Sequence, residues 1–139
     1  MKRIRIVFAT RTGHSKKLAE AIGRALNIRA ENVKEKPALK DVDLLFIVGG
    51  IYGGASMPEL LSFVDQLSPE SVRGAALITS CASKKQRQKG VRSLLEKKGI
   101  PVEDEMVFRG SFLFLGIGHP NDKDLAEAER FAVRLAEGD

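Results

Sequence analysis

A chain of 139 residues with 43% hydrophobic and 29% charged side chains has the size and balance of one ordinary globular domain, 1–139, able to withdraw roughly two-thirds of its unfolded surface from water. No apolar run approaches the ~20 residues of a membrane-spanning helix, the charged start Met1-Lys2-Arg3-Ile4-Arg5 reads against a secretory leader, and the single cysteine, Cys81, excludes an internal disulfide and predicts residence in the reducing cytoplasm. The formal net charge is +5, but with one Tyr, no Trp and the cations spread along the chain, the basic-patch-plus-aromatic pattern of a single-strand nucleic-acid binder is weak, and no nucleic-acid partner is expected.

In chain order, Ile4 to Ala9 is an apolar, β-branched run that predicts a first strand, and Ser15 to Leu26 changes to helical spacing, with Leu18, Ala19, Ile22 and Leu26 on one face. Ile28 to Val33 predicts a weaker second strand. The continuous apolar run Val42 to Val48 predicts a third, covered on both faces and stopping at Gly49-Gly50. Pro58 suits the first turn of a helix whose apolar positions are Leu60, Leu61, Val64 and Leu67. Ala75 to Thr79 predicts the fourth strand, Lys84 to Lys98 a basic helix ended by Gly99-Ile100-Pro101, Met106 to Leu115 the fifth strand and Asp122 to Glu137 the last helix. Strands alternating with helices predict an α/β fold, a doubly wound five-stranded parallel sheet with helices on both faces, because parallel strands need crossover connections and these are usually helical. Ligands bind beyond the carboxyl ends of such strands, so the segments after strands one, three and four matter most.

Thr10-Arg11-Thr12-Gly13-His14-Ser15 places three hydroxyls and a glycine where the first strand gives way to a helix. Amides at a helix start, the helix dipole and hydroxyl donors together suit a phosphate; a capped helix with a polar entry is the plainer alternative. A Thr/Ser-x-Thr-Gly-x-Thr/Ser segment directly after the first strand resembles the FMN phosphate loop of flavodoxins, and this chain matches each fixed position. The resemblance implies FMN as cofactor and the strand order 2-1-3-4-5. It also implies phosphate held by the side chains of Thr10, Thr12 and Ser15, with amides of Arg11, Gly13 and His14.

Gly49-Gly50-Ile51-Tyr52-Gly53-Gly54, followed by Pro58 and Phe63, is similar to the segment after strand three of flavodoxin-like proteins. The resemblance implies that Gly50, Ile51, Tyr52, Gly53 and Gly54 flank the isoalloxazine ring, with Tyr52 stacked on it or edged against it; a glycine-rich turn carrying a half-buried tyrosine is the alternative. By the same resemblance Ser80, Cys81, Ala82 and Ser83 line the other side of the ring. Many flavodoxins place an aromatic residue there and this chain has none, which predicts no sandwich between two aromatic rings. The ending Gly116-Ile117-Gly118-His119-Pro120-Asn121, with Asp122 and Asp124 before a helix, is similar to the tail of compact flavodoxin-domain proteins; His119 and Asn121 read as turn and cap residues.

Other doubly wound families need residues that this chain lacks. A phosphorylated receiver needs an acidic cluster after strand one and an aspartate ending strand three, where Ala9-Thr10 and Gly49-Gly50 stand. Neither Gly-x-x-x-x-Gly-Lys-Ser/Thr nor Gly-x-Gly-x-x-Gly follows strand one. Cys81 to Arg87 has the Cys-x-x-x-x-x-Arg spacing of a cysteine phosphatase, yet no glycine in it aims amides inward. The reading is an FMN-binding electron carrier that serves a redox enzyme, for example a reductase such as a bilirubin reductase. The alternative is a flavodoxin-like oxidoreductase acting directly on a quinone or tetrapyrrole. No catalytic residue and no metal ligand is assigned. Flavodoxins are acidic, whereas Lys84, Lys85, Arg87, Lys89 and Arg92 follow the third segment here, predicting a partner that is acidic at its docking surface.

Overall fold

The structure, a computed structural model, describes residues 2–52, 55–81, 87–109 and 122–138. Its elements are β1 (Ile4–Ala9), α1 (His14–Leu26), β2 (Ala30–Asn32), a 3-10 turn (Val33–Glu35), β3 (Leu44–Tyr52), β4 (Ala55–Ser56), α2 (Pro58–Asp65), β5 (Ala75–Cys81), α3 (Lys89–Lys98), β6 (Val102–Arg109) and α4 (Asp122–Glu137). The long strands form a parallel sheet in the order β2-β1-β3-β5-β6, and β4 pairs antiparallel with β3. Counting only the parallel strands, this is the predicted order.

The continuous apolar run in β3 follows from burial on both faces. Leu44, Phe46 and Val48 enter one core with Leu18 and Ile22 of α1 and Phe131 of α4, while Leu45 and Ile47 enter the other with Leu60 and Val64 of α2 and Val91 and Leu95 of α3. All five β3 side chains are fully buried, each worth about 1.5–3 kcal/mol over an exposed state. From β1 the chain turns to β2 on one side and later to β3 on the other, so the strand order reverses at the carboxyl ends of β1 and β3.

The amino ends are tied by charge. The Arg3 N–H donates to Asp43 Oδ2 at 2.8 Å, the Arg3 guanidinium lies 3.0 Å from Asp41, and Arg73 bonds both aspartates. Arg73 holds the Asp41 carboxyl below its ordinary value, and the Arg3 N–H does the same for Asp43.

Several boundaries differ from the sequence-based expectations, among them the end of β5, which runs to Cys81 rather than Thr79, and the start of β3, at Leu44 rather than Val42. β3 runs to Tyr52 instead of stopping at Gly49-Gly50, because its backbone stays paired with β5 as far as Ile51 and with β4 at Ile51 and Tyr52; β4 was not expected. α3 begins at Lys89: Gln88 has non-helical backbone angles and a side chain drawn into the core. β6 starts at Val102, its acidic stretch Glu103-Asp104-Glu105 hiding it from a hydrophobic pattern; residues 110–115 lie outside the described residues. β2 is shorter than expected because the chain enters the 3-10 turn at Val33, where Asn32 and Glu35 form a capping box. Among the described residues no helix is long and apolar enough to cross a membrane.

Candidate functional site

The chain leaves β1 at Ala9 and enters α1 at His14. In between, Thr10 is half-buried and Arg11 and Thr12 are exposed. The Gly13 N–H donates to Thr10 Oγ1 at 2.8 Å; this closes the turn and leaves the Thr10 hydroxyl hydrogen to donate elsewhere. Gly13 has φ +93° with nothing within 4 Å of the position a Cβ would take, so backbone shape rather than space calls for glycine. Gly13 is also the N-cap of α1, and no side chain caps this helix. The first amides of α1 therefore have no intrahelical acceptor, and its first turn carries Lys16 and Lys17 but no acid. Ser15, in that turn, is fully buried, and its Oγ has no hydrogen-bond partner.

The tail of β3 lies beside this turn. Gly49 pairs with Ala9, the last residue of β1, and on its other side with Thr79. Beyond it Gly50 faces Ser80 and Ile51 faces Cys81 across the ladder with β5. Ile51 also pairs with Ser56, and Tyr52 with Ala55, so β4 occupies the side of β3 that β1 vacates. The fold thus brings Thr10 to Ser15, Gly50 to Tyr52, and Ser80 and Cys81 to one end of the sheet. Gly53, Gly54, Ala82, Ser83, Lys84, Lys85 and the tail 116–121 lie outside the described residues.

Sequence reasoning missed Ser56, Gln88 and Glu105. Ser56 is buried, and its Oγ lacks a hydrogen-bond partner; nothing in a two-residue strand announced it. Gln88 is fully buried and fills the space opposite Gly49: a Cβ there would come within 2.6 Å of Leu60 and 3.2 Å of Gln88 Oε1. Glu105, on β6, has a side chain only 1% exposed and accepts from Arg92 Nη2 at 2.7 Å and Arg87 Nη1 at 3.3 Å. The basic segment is therefore partly neutralised, and Arg87, the arginine of the Cys-x-x-x-x-x-Arg spacing, is engaged with a carboxylate. A furrow of about 940 Å³ runs along α1 and β2 and shares only Lys16 with the first turn of α1. Its size does not make it the site; the glycines and unmet polar atoms lie at the strand ends.

An uncapped, acid-free helix start with a buried unmet hydroxyl fits a phosphate group. The sequence matches the family model described as "Flavodoxin domain" over residues 5–115. No curated protein matches it. Among solved structures the chain is similar to the flavodoxin of Streptococcus pneumoniae TIGR4, at 18% identity and a TM-score of 0.69 over 96% of this chain and 97% of that one. It is similar to flavodoxin 2 from Bacillus cereus, at 15% identity and 0.72 over 97% and 98%. It also matches rubredoxin oxygen:oxidoreductase from Desulfovibrio gigas, at 11% and 0.74 over 98% of this chain but 35% of that one. At such identities the structural likeness is one of fold, whereas the family match spans most of the sequence: the chain belongs to the flavodoxin domain family, FMN-binding proteins of electron transport.

Proposed function

We propose that this end of the sheet holds FMN, with the phosphate on residues 10–15 and the isoalloxazine ring between residues 50–54 and 80–83. The chain, acting as a single domain, then carries electrons to or from a redox enzyme. The observation that supports this most is Ser15, a fully buried hydroxyl without a partner in the first turn of a helix that no side chain caps. An unmet buried polar group costs about 1–3 kcal/mol, and an anion at this helix start would satisfy it.

Bound there, FMN supplies one- and two-electron transfer. The chain's own residues bind and orient. The hydroxyls of Thr10, Thr12 and Ser15 and the first amides of α1 hold the phosphate, a dianion favoured by the helix dipole, while Arg11 and His14 border it. Gly50, Ile51 and Tyr52 would flank the ring on one side. A carrier needs a docking surface but no acid–base pair. The basic sequence that includes Lys84, Lys85 and Lys89 suits a partner that is acidic at its docking surface. Titration of the purified apoprotein with FMN and with riboflavin tests the reading. FMN should bind at one per chain and much the tighter, and equal affinities would overturn the phosphate assignment.

A further inference from the structure

We propose that Glu105 and Gln88 form a positioning relay that sets the ends of β3 and β5 for the flavin ring; the proposal rests on the ring site named above. The relay begins at a carboxylate almost wholly withdrawn from water, its side chain 1% exposed in the interior of β6. Such a charge is tolerated only when paired and hydrogen-bonded. Three donors meet it: Arg92 Nη2 at 2.7 Å, the Gln88 N–H at 3.2 Å and Arg87 Nη1 at 3.3 Å. All three come from the stretch that opens α3, so one carboxylate fixes where the chain arrives after β5.

The second half of the relay is the Gln88 side chain. Its Nε2 donates to the Ile78 carbonyl at 3.0 Å and to Thr79 Oγ1 at 3.1 Å. A carbonyl can only accept, so the amide orientation is set and Oε1 is turned toward β3. There it lies 3.2 Å from the position a Gly49 Cβ would take, with no hydrogen-bond partner. Thr79 and Gly49 are paired across the ladder, and the next pair along is Gly50 and Ser80, the first residues assigned to the two sides of the ring. A leucine or methionine would fill the same space without an unmet acceptor. The amide adds direction: it ties β5 by its nitrogen and backs β3 by its oxygen, from a point anchored to β6.

Glu105→Gln keeps the shape and removes the charge, and Gln88→Met keeps the volume and removes the polar tie. In both, the visible absorption and circular dichroism of bound FMN should shift. FMN and riboflavin affinities should fall together by about threefold to tenfold, the size of one lost hydrogen bond, leaving the preference for FMN over riboflavin as in the wild type. A change confined to thermal stability, with spectrum and affinities unchanged, would overturn the relay. Should neither buried variant fold, Arg92→Gln, at a side chain 36% exposed, decides by the same spectrum and affinities. If wild-type protein itself shows no preference for FMN, the phosphate assignment fails; if that preference is present and the relay variants behave as wild type, only the relay fails.

Discussion

At the amino ends of the strands Asp41 and Asp43 each meet donors from both Arg3 and Arg73, whereas at the carboxyl ends Ser15 Oγ, Ser56 Oγ and Gln88 Oε1 are buried with no partner. These three are the buried side-chain atoms left unmet among the described residues, and all belong to segments at the same end of the sheet. One end is internally complete, and the other is built with bonding capacity that the folded chain does not use. Groups left this way lower the stability of the free protein and raise the gain from a ligand that completes them, a common trade at binding sites.

The sharpest way to break this comparison is Thr12→Asp. Thr12 is exposed, so the fold should survive, but the new carboxylate would stand beside the phosphate. Repulsion between close charges at a protein surface predicts a loss of FMN affinity of about 100-fold or more, read by flavin-fluorescence titration, with riboflavin little affected. Ser15→Ala probes the unmet hydroxyl directly and should act with opposite signs. The apoprotein should gain about 1 kcal/mol of stability while FMN binding weakens roughly five- to tenfold. An apoprotein that melts at a lower temperature than the wild type would show that Ser15 already has its partner.

Tyr52→Ala should cost on the order of 1 kcal/mol of FMN binding, a several-fold loss accompanied by a changed visible spectrum. Unchanged affinity and spectrum would place that ring elsewhere. The smallest effect belongs to the opposite end. The carboxyls of Asp41 and Asp43 titrate below their ordinary value of 3.8, chiefly through bonds from Arg73 and from the Arg3 N–H respectively. A lowered folded-state value means that their contribution is present above the unfolded value and is lost as pH falls through the folded one. Arg73→Gln should therefore lower the melting temperature slightly at neutral pH. The difference should shrink as pH falls through the lowered folded-state values and the carboxyls take up protons, and FMN affinity should not differ between the variant and the wild type. A variant that altered flavin binding would show that the two ends are coupled.

Much of the molecule could be read from sequence because its signals are local and periodic. Apolar runs at β1, β3 and β5 and the apolar stripe of α1 belong to elements buried on one or both faces, and the hydroxyl-rich turn with Gly13 declares its chemistry through residue types. What escaped was decided by tertiary contacts. Gly49 and Gly50 look like a strand terminator, yet they continue the ladder with β5, and at Gly49 it is Leu60 and Gln88 that take the space a side chain would need. Glu103 to Glu105 look like a solvated acidic turn, but Glu105 is buried by pairing with arginines that lie far away in sequence. The basic helix expected from Lys84 starts at Lys89, since charge density carries no information about where Gln88 anchors.

The tail of β3 has a last consequence. Gly50 and Ile51 belong to the sheet rather than to a free loop, held by β5 on one side, with β4 joining at Ile51 on the other. Their backbone can shift only when the ladder opens, so their amide protons should exchange with solvent at the slow rates of core strands. For an electron carrier a framework of this kind means small nuclear rearrangement as charge arrives and leaves. With that barrier low, the speed of transfer in the proposed carrier would be governed by how closely a redox partner approaches the bound cofactor.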